Sequence, residues 1–112
     1  MKVIIDPEIQ KDPYVLETVQ DANRYLDDLL DTISDTVEAG WSKTGVRDSD
    51  IVLTLNSLDD IPTEVTTVIS GKQLADAELR PSWVGAAMRR FLNDRGRIRA
   101  RRINKMMAEL PD

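Results

Sequence analysis

The first third of the chain has apolar residues at intervals of three and four, the spacing of a helix with one apolar face. The apolar positions are Val15, Val19, Ala22, Leu26, Leu29, Ile33 and Val37. Asp12 can cap this helix, Pro13 suits its first position, and Gly40 suits its C-terminal end. The pattern predicts one long helix over residues 13–39. Its near-heptad seam needs a partner, so we expect a homodimer that pairs along these seven residues.

The middle of the chain shows a different period. Apolar and polar side chains alternate along residues 51–56, which predicts a half-buried strand. Residues 1–5 predict a second short strand or an extended arm, and residues 42–50 predict a turn-rich loop. Residues 58–71 combine helical spacing with many β-branched side chains. Of the two alternatives there, we favour a short helix.

The last third of the chain predicts helices again. Ser82 can cap a helix that runs from Trp83 to about Asn93 and ends at Gly96. Its predicted core face consists of Val84, Met88, Phe91 and Leu92. Its predicted solvent face consists of Trp83, Ala86, Arg89, Arg90 and Asn93. The residues after Gly96 fit either a strand-like wing or a terminal helix, and we favour the helix.

These elements predict an α+β, mainly helical protein with one or two short strands. The 112 residues suit a single domain, and 41% of them are hydrophobic, enough for a modest core. The net charge of −5 is unevenly spread. Residues 1–60 carry fourteen acids and five bases, whereas residues 80–112 carry nine bases and three acids. The domain thus has an acidic half with the long helix, residues 1–60, and a basic half, residues 61–112.

The composition argues against several function classes. The chain has neither Cys nor His, so disulfides, thiolate zinc sites and the commonest general base are absent. Nucleophile–base pairs and phosphate-binding loops are not visible either, so we expect no enzyme, no cofactor and no metal. Asp27, Asp31 and Asp35 recur every four residues, and a solvated helix face explains them better than a Mg²⁺ site. No apolar run is long enough for a membrane span, and we expect a cytoplasmic protein.

The stretch GKQLADAELRPSWVGAAMRRF resembles the helix-turn-helix motif of DNA-binding proteins. The following NDRGRIRARRIN is similar to the basic wing or extra helix of winged-helix relatives. The resemblance covers about residues 70–105. It implies that the helix opened by Ser82 is a recognition helix in the major groove of duplex DNA.

The arginines in this region support the same function. Arginine presents a planar fork that suits phosphate and guanine edges. The predicted nucleic-acid-binding residues are Ser82, Trp83, Arg89, Arg90, Arg97, Arg99, Arg101, Arg102 and Lys105. For Trp83 the alternatives are stacking on a base and packing on a neighbouring helix, and packing is favoured. The predicted function is therefore a small DNA-binding regulator of transcription or replication.

A second hypothesis explains the sorted charges without nucleic acid. The basic residues could match the acidic row formed by Asp27, Asp28, Asp31 and Asp35, within the fold or between subunits. The protein would then be an adaptor, an inhibitor or an antitoxin-like protein that binds a protein partner through its acidic helix. A continuous exposed basic face would favour DNA, and bases packed on the aspartates would favour the second hypothesis.

Overall fold

A computed structural model describes residues 1–44 and 49–110 of the chain. The helices are α1 (Pro7–Gln10), α2 (Pro13–Leu30), α3 (Gly71–Ala75) and α4 (Arg80–Glu109). The strands are β1 (Lys2–Ile5), β2 (Val37–Lys43), β3 (Ile51–Ser57) and β4 (Glu64–Ile69). Two 3-10 turns, Asp31–Thr36 and Ala77–Leu79, follow α2 and α3. The α+β class is confirmed, but the described strands number four rather than one or two.

The four strands form one sheet in the order β1-β2-β3-β4, with β1 parallel to β2 and the other pairs antiparallel. Alternate residues of β2 and β3 are buried, as expected for a sheet with one covered face. Helices α2 and α4 provide the cover. Trp41 of β2 and Phe91 of α4 are the largest of the fully buried side chains.

The start of α2 is as the sequence predicts, but its end is not. Asp12 accepts hydrogen bonds from the backbone N–H groups of Tyr14 and Val15, and Pro13 occupies the first turn. The predicted helix over residues 13–39 is wrong beyond Leu30. The chain turns at Asp31, which has a φ of 48°, and then enters β2. Pairing of β2 with both β1 and β3 satisfies its backbone groups, and this non-local gain outweighs the helical spacing.

The predicted dimer seam is divided among three elements, namely α2, the 3-10 turn that holds Ile33, and β2. Val19, Ala22 and Leu26 are completely buried in the core of their own chain. Val15 and Ile33 pack against the edge of that core. Val37 lies in β2, and Leu29 is 52% exposed. The chain therefore covers most of this seam by itself, and the homodimer stays a prediction without the support of these residues.

Other predictions are corrected by the sheet. The strands at residues 1–5 and 51–56 are confirmed, but the short helix within residues 58–71 is wrong. Residues 64–69 of that segment form β4, which pairs in register with β3 from Glu64 to Ile69. Its β-branched side chains suit the sheet better than a helix. The predicted loop at 42–50 begins within β2, and its residues 45–48 lie outside the described part of the chain.

The last helix, α4, is much longer than predicted. Ser82 is its third residue rather than its cap, and Gly96 lies inside it rather than at its end. The terminal segment is helical, as favoured, and continues the same helix to Glu109. Helix α3 and the 3-10 turn Ala77–Leu79 lie directly before α4. The resemblance to helix-turn-helix domains stays a prediction.

The core face of α4 is nearly as predicted. Val84, Met88 and Phe91 are buried, whereas Leu92 is half-exposed. Trp83 is buried as well and meets Trp41 edge-on, with ring centroids 6.3 Å apart. The placement of Trp83 on the solvent face is therefore wrong. It packs in the core, the favoured alternative, and is not exposed to a nucleic-acid base.

Candidate nucleic-acid interface

Two ion pairs position α4 on the rest of the protein. At its N-terminus, Arg80 Nη1 lies 2.6 Å from Asp21 Oδ2 of α2. Near its middle, Arg95 forms two hydrogen bonds to the Asp59 carboxylate, in the turn after β3. Both arginine side chains are largely buried. These two basic residues therefore serve the fold and are not free to bind a ligand.

The Arg95–Asp59 pair is supported by further hydrogen bonds. Asp59 also accepts from the Ser57 hydroxyl and from the backbone N–H of Ile61. The Arg95 guanidinium and these donors hold the pKa of Asp59 well below its usual range. The same pairing raises the pKa of Arg95. Because a bidentate pair fixes orientation as well as distance, it sets the direction in which α4 leaves the sheet.

The side of α4 opposite its buried residues forms an outer face. Residues three or four apart lie on one side of a helix, and the outer face follows that spacing over six turns. It consists of Ser82, Ala86, Arg89, Asn93, Gly96, Arg97, Ala100 and Asn104, all of them exposed. None of these residues is acidic, although the chain contains 20 Asp and Glu.

The predicted binding arginines have different surroundings. Among the described residues, Arg89 has no hydrogen-bond or ion-pair partner, whereas Arg90 Nη1 lies 3.3 Å from the Thr66 carbonyl oxygen. Arg97 meets Asp94 at 3.6 Å and Arg102 meets Asp60 at 3.7 Å. Both pairs are exposed, so they are weak and leave the arginines accessible.

The last three turns of α4 project from the domain. Every residue from 99 to 110 is exposed, and this segment is called the arm below. Within the described chain, Arg99, Arg101 and Lys105 have no ion-pair partner. The arm also carries apolar residues on one side, namely Ile103, Met106, Met107 and Leu110.

The acidic row does not meet the arm. It also does not lie on one helix face as predicted, because α2 ends at Leu30 and Asp31 and Asp35 belong to the following 3-10 turn. Asp27 Oδ1 lies 3.8 Å from the N-terminal amine and accepts a hydrogen bond from Ser34. Asp28, Asp31 and Asp35 are exposed, and no ion pair in residues 1–44 and 49–110 involves them. The basic residues of the arm are thus exposed rather than packed on these aspartates.

Sequence reasoning found the arginines of this surface but not its full extent. It missed Gly96, Ala100 and Asn104 of the outer face because the helix was expected to end at Gly96. The signal that could have found them is the absence of acidic residues at helical spacing from Ser82 to Asn104. It also missed the structural role of Arg95, since Asp59 is 36 residues away.

The described residues contain neither a candidate metal site nor a candidate membrane span. No group of three or more acidic side chains there could hold a metal ion. None of the helices described is sufficiently long and apolar to pass through a membrane.

Comparison with known proteins adds no relative. No family model, curated protein or solved structure matches the chain. Function is therefore inferred from the geometry and charge of the surface itself.

Proposed function

We propose that the protein binds duplex DNA through the outer face of α4 and the basic residues of its arm. The observation that carries this proposal is the composition of the outer face. In a chain of net charge −5, the eight residues of the outer face, spread over six turns, are only arginine, asparagine, serine, alanine and glycine. A surface selected only for solubility has no reason to exclude acids in this way.

These residue types suit a helix in the major groove. Arginine binds guanine edges and asparagine binds adenine edges by paired hydrogen bonds. Ala86, Gly96 and Ala100 are small, so the helix axis can approach the bases closely. Arg89 and Asn93 lie one turn apart on this face and are the residues to which we assign base contacts.

The basic arm suits the phosphate backbone. Arg99, Arg101 and Lys105 are exposed and unpaired in the described structure, so phosphate contacts would not first require breaking an ion pair. Arg90 is held at the edge of β4 by the Thr66 carbonyl, and we assign it a phosphate contact. Helix α2 packs beside α4 over the sheet, and its exposed carboxylates would repel DNA, so they favour an approach along α4 itself.

A small protein that reads DNA sequence in this way acts in the regulation of transcription or replication, and that is the role we propose. A selection from random duplexes tests sequence readout. Arg89→Ala should cost about 1–3 kcal/mol on the preferred site and flatten the preference at one base pair. Arg90→Ala should weaken all sequences alike, because phosphates carry no sequence information.

The salt dependence tests the arm. Replacing Arg99, Arg101 and Lys105 together by alanine should lower the slope of log affinity against log salt by about 0.9 for each lost phosphate contact. Lys11→Ala removes an exposed base outside α4 and is the control, which should leave the slope unchanged. Absence of duplex binding by the wild type at low salt would contradict the proposal.

A second candidate function is favoured by the acidic row. Asp28, Asp31 and Asp35 are exposed and form no ion pair in the described structure, so they are available to a basic partner protein. An adaptor or inhibitor acting through α2 would use this surface. If the wild-type protein does not bind duplex DNA, the adaptor or inhibitor function is the better supported of the two.

A further inference from the structure

The arm has an apolar side that nothing in the described chain covers. Ile103, Met106, Met107 and Leu110 follow the spacing i, i+3, i+4 and i+7, so they form one stripe along the helix. Their side chains are 52–67% exposed. At 100° per residue this stripe lies almost opposite Arg101 and Lys105. The arm is thus an amphipathic helix whose apolar side lacks a contact.

An uncovered stripe of this kind is unfavourable. Large apolar side chains stabilise a protein when they are buried, and the four of this stripe remain more than half exposed. A helical segment of twelve residues is also marginally stable in water without packing. The arm therefore gains stability from any surface that covers its stripe.

The arm's own domain does not provide this surface. The first half of α4 is fixed by the core, by Arg80 and by Arg95, and the helix continues to Glu109 without interruption. In the described structure, the one ion pair from the arm to the domain is the exposed contact of Arg102 with Asp60. The arm would have to bend sharply to fold back onto α2.

The outer side of α2 has the complementary properties. Tyr25 and Leu29 lie one turn apart and are 41% and 52% exposed. Asp28 stands between them in sequence, and Asp31 follows within one turn. On the arm, Arg99 and Arg102 border the stripe one turn before Ile103 and Met106. Each surface therefore has an apolar centre, with Asp28 beside it on α2 and Arg99 and Arg102 beside it on the arm.

We propose that the arm of one copy of this chain packs, through its apolar stripe, on the outer side of α2 in a second copy. Each copy has one arm and one α2, so two copies can exchange arms, and this reciprocal arrangement closes as a twofold dimer rather than an open chain. Charge favours this partner over a second arm. Residues 96–110 contain five bases and one acid, so two arms side by side would repel each other.

The interface differs from the seam predicted from the sequence. That seam used mainly the buried side of α2 and shares only Leu29 with this contact, which uses the exposed side. The contact leaves free the outer face from Ser82 to Asn93 and, on the side opposite the stripe, Arg101 and Lys105. Ile103 and Met107 lie three residues beyond Ala100 and Asn104, so the stripe borders the last turns of the outer face. It does not depend on DNA binding, and it is tested in the absence of nucleic acid.

Sedimentation equilibrium of the full chain over a concentration series measures the association. We expect a dimer that weakens as salt is added, since salt screens exposed charges. Met107→Glu should raise the dimer dissociation constant by roughly tenfold to a hundredfold, because it puts a charge in the apolar contact. Asn104→Glu, on the outer face of the same arm, makes the same charge change and should have a much smaller effect.

A charge-exchange experiment identifies the surface on which the arm packs. Arg99→Glu and Asp28→Lys should each weaken the dimer. The two together should restore it, because the carboxylate introduced on the arm of one copy would then face the ammonium group introduced on α2 of the other. The four substituted residues, Met107, Asn104, Arg99 and Asp28, are all exposed. The variants should therefore keep the circular dichroism spectrum of the wild type.

Three results would overturn the proposal. The first is a wild type that stays monomeric at every concentration. The second is a dimer weakened by Met107→Glu but indifferent to Asp28→Lys, which would show that the arms pair with each other. The third is a monomer that binds vesicles of anionic phospholipid through the arm, which would make a lipid surface the occupant of the stripe.

Discussion

The two halves of α4 belong to one helix but have opposite environments. From Arg80 to Phe91 the helix contributes five buried side chains to the core. From residue 99 onward every described side chain is exposed. The first half thus stabilises the fold, and the second half is presented to solvent. A continuous helix can carry both roles because its backbone hydrogen bonds are satisfied within the helix itself.

The arginines of the two halves show the same contrast. Arg80 and Arg95 are largely buried and paired with carboxylates from distant parts of the chain. Arg99 and Arg101 have no partner in the described structure. The number of arginines in a stretch of sequence therefore does not show how many are free to bind a ligand and how many stabilise the fold. The partner of each side chain decides between the two.

The largest expected effect comes from comparing a buried with an exposed side chain on α4. Phe91→Ala should lower the free energy of unfolding by about 3–5 kcal/mol, because it leaves a cavity in the core. Met107→Ala on the arm should change it by no more than about 0.5 kcal/mol. Urea denaturation, at a concentration where the chain is monomeric, measures both. Equal losses would show that the arm is part of the cooperative core.

A smaller effect is expected at the junction of the two halves. Asp59→Asn removes the charged partner of Arg95 and should destabilise the protein by about 2 kcal/mol at neutral pH. Asp60→Asn, at an exposed neighbouring position, is the control and should cost less than about 0.5 kcal/mol.

The difference in unfolding free energy between wild type and Asp59→Asn should depend on pH, and the lowered pKa of Asp59 fixes the direction of that dependence. The pKa of Asp59 is depressed in the folded protein, so its contribution is fully present above the unfolded value of about 3.9. It is lost as the pH falls further towards the folded pKa. The gap in unfolding free energy between wild type and Asp59→Asn should therefore be constant near neutrality and shrink below about pH 4. A gap that widens in acid would rule out this role for the carboxylate.

The smallest effect is expected at Gly96, which lies three residues before the arm. A Cβ at this position meets nothing within 4 Å, and alanine favours a helix over glycine by about 1 kcal/mol. Gly96→Ala should therefore raise helicity and slow amide exchange in the arm by about fivefold. Ala100→Gly makes the reverse change and should speed exchange. If neither variant altered exchange, the arm would already be held by another contact.

Several features of this protein were determined by local sequence. Asp12 and Pro13 specify the start of α2, and alternation specifies β3. The spacing of Val84, Met88 and Phe91 specifies the buried side of α4. In each case the deciding interactions lie within a few residues of one another, so a pattern of period 2 or 3.6 is enough to reveal them.

Other features were decided only by tertiary structure. Val37 fits the helical spacing of α2, but pairing with β1 and β3 places it in a strand. Residues 64–69 fit a helix or a strand, and β3 selects the strand. These choices depend on hydrogen bonds to segments far away in the chain, which local propensity does not encode.

The candidate site was likewise found only in part from the sequence. The arginines of the basic half were visible, but their partners were not. Arg95 is bound by Asp59, which is 36 residues away, whereas Arg99 has no partner in the described structure. The sequence determined how much positive charge the C-terminal half carries. The fold decided which of those charges remain exposed, because pairing depends on distances that arise only when the sheet and α4 pack together.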